Sequence, residues 1–229
     1  DLILEIAKIS QLQRIRYTTS HPKDFTQDLM EAHKSCVKLM PLIHLPVQSG
    51  SNKILKNMNR KHTIEEYIQL IEKLQIFNSN IKLSSDFIIG YPGETEDDFE
   101  DTLNLMNKVK FINTFSFLFS SRPGTPSSHL KKIDEDLAKK RLIIFQNISK
   151  KIKTEYRQSL LNKIVPVLFE NRTQEKNMYF GRDEHFNSVI VESNENLAGK
   201  IKKIKIIKVS QNTLFGKISS KIMQKEFAA

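Results

Sequence analysis

The 229 residues suffice for one large domain and a small one, and 39% of them are apolar, enough for a real core. No apolar run approaches the ~18 residues of a membrane span, which excludes an integral membrane helix. A single cysteine excludes an internal disulfide framework and fits a reducing cytoplasm. The net charge of +10 is unevenly spread: residues 1–150 carry 21 Lys and Arg against 18 Asp and Glu, and residues 151–229 carry 15 against 8. The basic excess therefore sits in the C-terminal third, where contact with a polyanion is expected.

In chain order, residues 1–5 open like the interior of an amphipathic helix, with no signal peptide and no initiator methionine, so the chain is expected to start within a domain. Residues 14–19 form a β-rich run, and a helix over 25–36 sets Phe25, Leu29, Ala32 and Cys36 on one face. A strand over 42–47 leads into Gln48-Ser49-Gly50-Ser51, where Ser51 can cap a short helix carrying Ile54, Leu55 and Met58. Thr63-x-x-Glu66 is a capping-box pattern ahead of a helix that buries Tyr67, Leu70, Ile71 and Leu74. A second clear strand over 82–89 runs into Gly90-Tyr91-Pro92-Gly93. Thr95-x-x-Asp98 then opens a helix with Phe99, Leu103, Met106 and Val109 at helical spacing. Residues 115–119 are the fourth strand, and Arg122-Pro123-Gly124-Thr125-Pro126 is a rigid loop. Four strands separated by helices imply an α/β fold with a parallel sheet and right-handed crossovers. A long helix from Ile133 follows, with Leu137, Leu142, Phe145, Ile148 and Ile152 as its apolar stripe. Beyond residue 160 the period becomes two, with strands over 165–170, 178–182, 188–191, 201–209 and 213–218 at sandwich or barrel spacing. Residues 220–229 form a tail. The expected domains are thus 1–159 and 160–219.

Two of these segments, 44–51 and 85–95, run from an apolar strand through a Gly-containing turn into a helix. In α/β sheets that arrangement puts ligand-binding groups at the carboxyl ends of the strands. Gln48 offers an amide for ribose hydroxyls or a carboxylate, Ser49 and Ser51 stand beside it, and Gly50 permits a close backbone approach to a ligand. An ordinary helix cap on a strand end accounts for the same residues. Gly90 and Gly93 invite a phosphate-binding reading, but Glu94, Glu96, Asp97 and Asp98 crowd the helix start and suit the helix dipole instead. Asp86 reads as a ligand contact or as a buried carboxylate with a backbone partner, and Arg122 as an anion contact or a rigidified surface arginine. No two of the six histidines show metal-ligand spacing. Lys200, Lys202, Lys203, Lys205 and Lys208 punctuate an Ile-rich strand, with Tyr179, Phe180, Arg182, Phe186 and Phe215 nearby. Such a mixture suits single-stranded or looped RNA, against the alternative of a solvated strand face.

In that order, segments 14–22, 45–51, 60–63, 84–95 and 121–126 resemble the C-terminal half of the radical S-adenosylmethionine methylthiotransferases. Within them the chain is most similar to the isopentenyladenosine branch, the MiaB family. The resemblance implies the last four strands of a six-stranded partial (β/α) barrel, followed over 160–219 by a TRAM module, a small RNA-binding all-β barrel. It implies an enzyme that adds a methylthio group to carbon 2 of N6-isopentenyladenosine beside the tRNA anticodon. Its cofactors are S-adenosylmethionine and two [4Fe-4S] clusters, its partner is the tRNA anticodon stem-loop, and it acts as a cytoplasmic monomer without a membrane. Gln48 and Ser49 would meet the ribose or methionine part of the cofactor, Asp86, Gly90 and Arg122 its adenine side, and Arg182, Lys200, Lys203 and Lys205 the RNA. The family's cluster-binding cysteines and first two barrel strands are not in this chain, so it reads as a C-terminal piece, inactive alone. The rival readings are the threonylcarbamoyladenosine and ribosomal-protein branches, and, from another class, a stand-alone RNA-binding protein on a degenerate barrel. Segments 19–22 and 45–49 favour the isopentenyladenosine branch.

Overall fold

Alternation of apolar residues along short runs, each followed by an amphipathic helix, gives the first part of the chain a layered α/β structure. In the computed structural model, residues 2–19 and 21–219 are described, and the chain divides into two units between Lys153 and Thr154.

The first unit holds a parallel sheet of β1 (Leu42–His44), β2 (Lys82–Ile89) and β3 (Asn113–Leu118), in that spatial order. Helices α1 (Leu2–Ala7), α2 (Gln27–Ser35), α3 (Asn52–Asn57), α4 (Ile64–Phe77) and α5 (Glu96–Val109) complete it, with α6 (Glu135–Gln158) as far as Lys153; the last residues of α6 belong to the second unit. Ile43, Leu45, Phe87 and Ile89 enter a core with Tyr67 and Leu74 of α4, Phe99 and Met106 of α5 and Phe145 of α6. The Phe87 and Phe145 ring centroids lie 4.7 Å apart. The alternate residues of the strands, His44, Asp86, Ile88, Phe115 and Phe117, are less buried, and Phe117 is 56% exposed. One face of the sheet is therefore covered by helices and the other is free to line a site.

The run 14–19, expected to be the first of four strands, forms a single bridge between Ile15 and Leu39. Side-chain bonds take over beyond that rung: the Tyr17 hydroxyl and His33 Nε2 are 2.7 Å apart, and Thr19 Oγ1 donates to the His44 carbonyl at 2.6 Å. Such local bonds compete with a main-chain ladder. Ahead of the helix expected over 25–36, Pro22–Asp24 form a 3-10 turn, and α2 begins only at Gln27 and ends at Ser35. The stripe of α6 also shifts, because Ala138 and Arg141 take the buried positions while Leu137 stays exposed.

The second unit is a closed barrel of β4 (Ile164–Arg172), β5 (Met178–Arg182), β6 (Ser188–Glu192), β7 (Ile201–Val209) and β8 (Thr213–Ile218), in the order β4-β5-β6-β8-β7. Val165, Val167, Phe169, Val189, Val191, Ile204, Ile206 and Leu214 fill it. Closure leaves no free sheet edge, which a strand set this short needs to be stable. The expected tail at 220–229 lies outside the described residues.

Candidate functional site

The turn after β1 splits its residues between two tasks. Gln48 holds φ 78°, a left-handed conformation fixed on both sides by backbone bonds. Its N–H donates to Asp86 O at 3.0 Å, and its carbonyl accepts from Ile88 N–H at 2.9 Å. Its side chain is left facing a cavity beside β2. Ser49 is buried instead, accepting from Ser51 N–H at 3.2 Å with its Oγ 3.4 Å from Thr102 Oγ1. Gly50 donates to Thr102 Oγ1 at 2.9 Å, and a Cβ there would lie 2.5 Å from Asp101 O and Thr102 Cα. The close approach expected between Gly50 and a ligand is thus an approach to α5. Ser51 caps α3 as expected, and its hydroxyl donates to Asp98 Oδ1 at 2.7 Å.

Asp86, on the free face of β2, has a side chain 29% exposed, 3.4 Å from His44 Nε2. Gly90 has φ 78° and does not line the cavity; a Cβ there would meet Ala138 Cβ at 2.8 Å, so the glycine admits α6. Its N–H donates to the Glu94 carboxylate at 3.2 Å. Glu94, Glu96 and Asp98 of the acidic helix start have structural partners. Glu94 and Glu96 pair with Arg141 at 2.9 and 2.7 Å, and Lys53 pairs with Asp98 at 2.6 Å. Burial raises the Glu94 pKa, an effect the Arg141 guanidinium opposes.

Gln48, Asp86 and Arg122 share one cavity of about 820 Å³, within the size range of small-molecule sites. Its wall also includes Arg60, Tyr91, Phe117 and Phe119. Arg60 Nη2 donates to Pro46 O at 2.7 Å, and the Tyr91 hydroxyl donates to Asn57 O at the end of α3 at 3.0 Å, so both side chains are anchored by main-chain carbonyls. Sequence reasoning assigned no role to Arg60 or Tyr91. The signal was there, since both lie in the polar segments that follow α3 and β2. The site thus combines an amide, a carboxylate, two guanidinium groups and three aromatic rings at the carboxyl ends of parallel strands, a donor set suited to a charged nucleoside-like ligand.

In the barrel, Lys203 and Lys205 of β7 are exposed while Ile204 and Ile206 between and beyond them are buried. Lys200 is exposed in the turn before β7. Arg182 lies apart on β5, its Nε 3.4 Å from Glu170 and its guanidinium over the rings of Phe180 and Phe186. The strand β4 separates β5 from β7, so the four basic candidates do not form one row.

Comparison with known proteins agrees with this two-part construction. The chain matches the Radical SAM superfamily over residues 1–106 and the TRAM domain over residues 158–219. Among solved structures, coproporphyrinogen III oxidase (HemN) from Escherichia coli, a radical SAM enzyme, superposes with a TM-score of 0.51 at 12% identity. The superposition covers 93% of this chain and 55% of that one, a likeness of fold alone. The class is therefore a radical SAM fold joined to a TRAM domain. The chain is 51% identical to the tRNA-2-methylthio-N(6)-dimethylallyladenosine synthase of Pelagibacter ubique over 98% of its length and 50% of the relative's. It is 46% identical to the protein of that name from Wolbachia sp. subsp. Brugia malayi, over 94% of this chain and 50% of the other. These likenesses are to radical SAM methylthiotransferases, and the chain spans about half the length of the curated relatives it matches.

Proposed function

We propose that this chain is the cofactor- and RNA-binding part of a tRNA methylthiotransferase that modifies carbon 2 of N6-isopentenyladenosine beside the anticodon. On this reading the sheet is the later portion of a partial (β/α) barrel, and residues 160–219 are the RNA-binding module. The observation that carries the reading is the cavity at the strand ends, where Gln48, Asp86, Arg60 and Arg122 converge on a wall of aromatic rings.

S-adenosylmethionine fits that donor set. When bound, it supplies the methyl group and the radical chemistry of the family. Asp86 is suited to accept hydroxyl or ammonium protons, Arg60 or Arg122 to hold a carboxylate, and Gln48 to bond ribose or the amino-acid end. The rings of Tyr91, Phe117 and Phe119 offer apolar surface to the adenine. A [4Fe-4S] cluster does not fit the residues present. Such clusters need several thiolates, and Cys36 is the single cysteine, buried with Ile15, Ala32 and Leu39. Among the described residues no group of three or more His, Cys, Asp or Glu could hold a metal ion. The chain's own part is then binding and orientation, with no radical step assigned to it.

Equilibrium titration with S-adenosylmethionine tests the reading. Gln48→Gly removes the amide yet accepts φ 78° freely. Affinity should fall roughly 5- to 150-fold, the worth of one hydrogen bond to a buried ligand, with no loss of melting temperature. Unchanged affinity would reduce Gln48 to a turn residue.

A further inference from the structure

Six non-glycine residues among those described have positive φ. Asn59, Asn162 and Asn177 tolerate that region, and Lys110 caps the end of α5. Gln48 belongs to the cavity. Phe186, at φ 66°, remains. A bulky residue in this region is an outlier, and such strain persists only where the surroundings over-determine it, commonly at binding sites.

The surroundings of Phe186 do so. Asp183, fully buried at the end of β5, accepts through Oδ1 from the N–H groups of His185 and Asn187 at 2.9 and 2.8 Å. Its Oδ2 accepts from the Asn187 side-chain amide at 2.8 Å. The Tyr156 hydroxyl and His185 Nδ1 are 2.8 Å apart, and Arg157 Nε donates to Asn187 Oδ1 at 3.5 Å. Asp183, His185 and Asn187 are thus tied inward, while Phe186 itself is 47% exposed.

Its ring is also part of a larger surface. The Arg182 guanidinium carbon lies 4.1 Å from the Phe186 centroid and 5.1 Å from that of Phe180, and Nη1 donates to the Phe186 carbonyl at 3.3 Å. Glu170 steadies the Nε edge of the same arginine. Across the sheet, Phe180, Ile190 and Phe215 stand in register on β5, β6 and β8, on the side opposite the buried Tyr179, Val189 and Leu214. Lys208 Nζ lies 5.5 Å from the Phe215 centroid. Flat rings backed by fixed cations bind nucleobases by stacking and phosphates by charge, with tolerance for sequence. A fully paired helix offers no free base face to such a surface.

We propose that Phe186, presented on this clamped loop beside Arg182 and Phe180, is a stacking site for an unpaired nucleobase of single-stranded RNA. The site rests on the barrel being an RNA-binding module, and it differs from the lysines of β7 in reading base faces rather than phosphate charge.

The test uses the whole chain with two labelled probes, single-stranded oligoadenylate and a blunt RNA duplex. Phe186→Gly is the informative variant, because it removes the ring and relieves the backbone, so the fold should be retained or strengthened. Affinity for oligoadenylate should drop about 5- to 150-fold, the cost of one lost base–aromatic stack. Duplex affinity should hold, and Phe186→Trp should preserve oligoadenylate binding. Wild-type binding that Phe186→Gly leaves intact, or weakens equally for both probes, overturns the stacking site alone. Failure of the wild-type chain to bind either probe overturns the RNA-binding reading with it.

Discussion

Gln48 and Ser49 are adjacent, and both were candidates for the same ligand, but one side chain faces the cavity and the other is locked to Thr102 of α5. The left-handed φ of Gln48 turns consecutive side chains to different tasks. Arg141 is the opposite case, a residue with no signal in the sequence that proves central to packing. Its guanidinium is 4% exposed against a Glu94 carboxylate that is 2% exposed. Removing one member of such a pair strands a buried charge, whereas replacing both need not destabilise. Arg141→Leu is therefore expected to cost about 3–5 kcal/mol in denaturant unfolding. The double variant Glu94→Gln/Arg141→Leu should recover part of that loss. A double-mutant cycle measures the coupling directly, and strict additivity would count against a buried pair.

At the scale of elements, the capping box expected at Thr63 forms, and a second forms at Thr95, where a helix was expected to open; each fixes where its helix begins. The second does more than cap. Burial alone would raise the Asp98 pKa, but bonds from Lys53, the Thr95 backbone, Ser51 and the Thr95 hydroxyl hold it well below the usual carboxylate range. This carboxylate thereby joins the start of α5 to the start of α3. A depressed folded-state pKa contributes stability that is present above the unfolded value, near about 4, and is lost as pH falls through the folded value. Asp98→Asn should lower stability at neutral pH by roughly 1–3 kcal/mol. It should also flatten the loss of stability below about pH 4 that the wild type shows. Urea unfolding at several pH values reads both effects. Parallel wild-type and variant curves through the acid range would remove Asp98 as the linking charge.

For the whole molecule, the formal charge is +5 over residues 1–153 and +5 over residues 154–229, so the barrel unit, half as long, is the more densely basic. Lys203 and Lys205 point outward between buried isoleucines, so they can be neutralised without touching the core. Each phosphate contact releases counterions and adds about −0.7 to −0.9 to the log–log slope of RNA affinity against salt. Lys203→Gln combined with Lys205→Gln should flatten that slope by up to about two units while melting stays unchanged. An unaltered slope would make the β7 lysines a solvated face and leave the Phe186 surface as the RNA contact. No helix among the described residues is long and apolar enough to cross a membrane.

Most elements were legible in the chain itself. An apolar run placed β2 and period-two runs placed β5, β7 and β8 at their observed bounds, and Thr-x-x-Glu/Asp patterns placed the starts of α4 and α5, because these signals act over a few residues. The run 14–19 looked like a strand for the same local reason, yet a strand exists only if a partner extends its ladder, and here one rung forms. Among the candidate site residues, the sequence marked the two turns but could not say which side chains line the cavity. Whether Gly50 and Gly90 make room for a ligand or for α5 and α6 depends on helices 40 or more residues further along the chain. The meeting of Gln48, Arg60, Asp86 and Arg122 around one cavity, and the clamping of Phe186 by Asp183, His185 and Asn187, were likewise decided only in the tertiary structure. Local spacing sets which face of an element a residue occupies, and only packing between elements sets what that face meets.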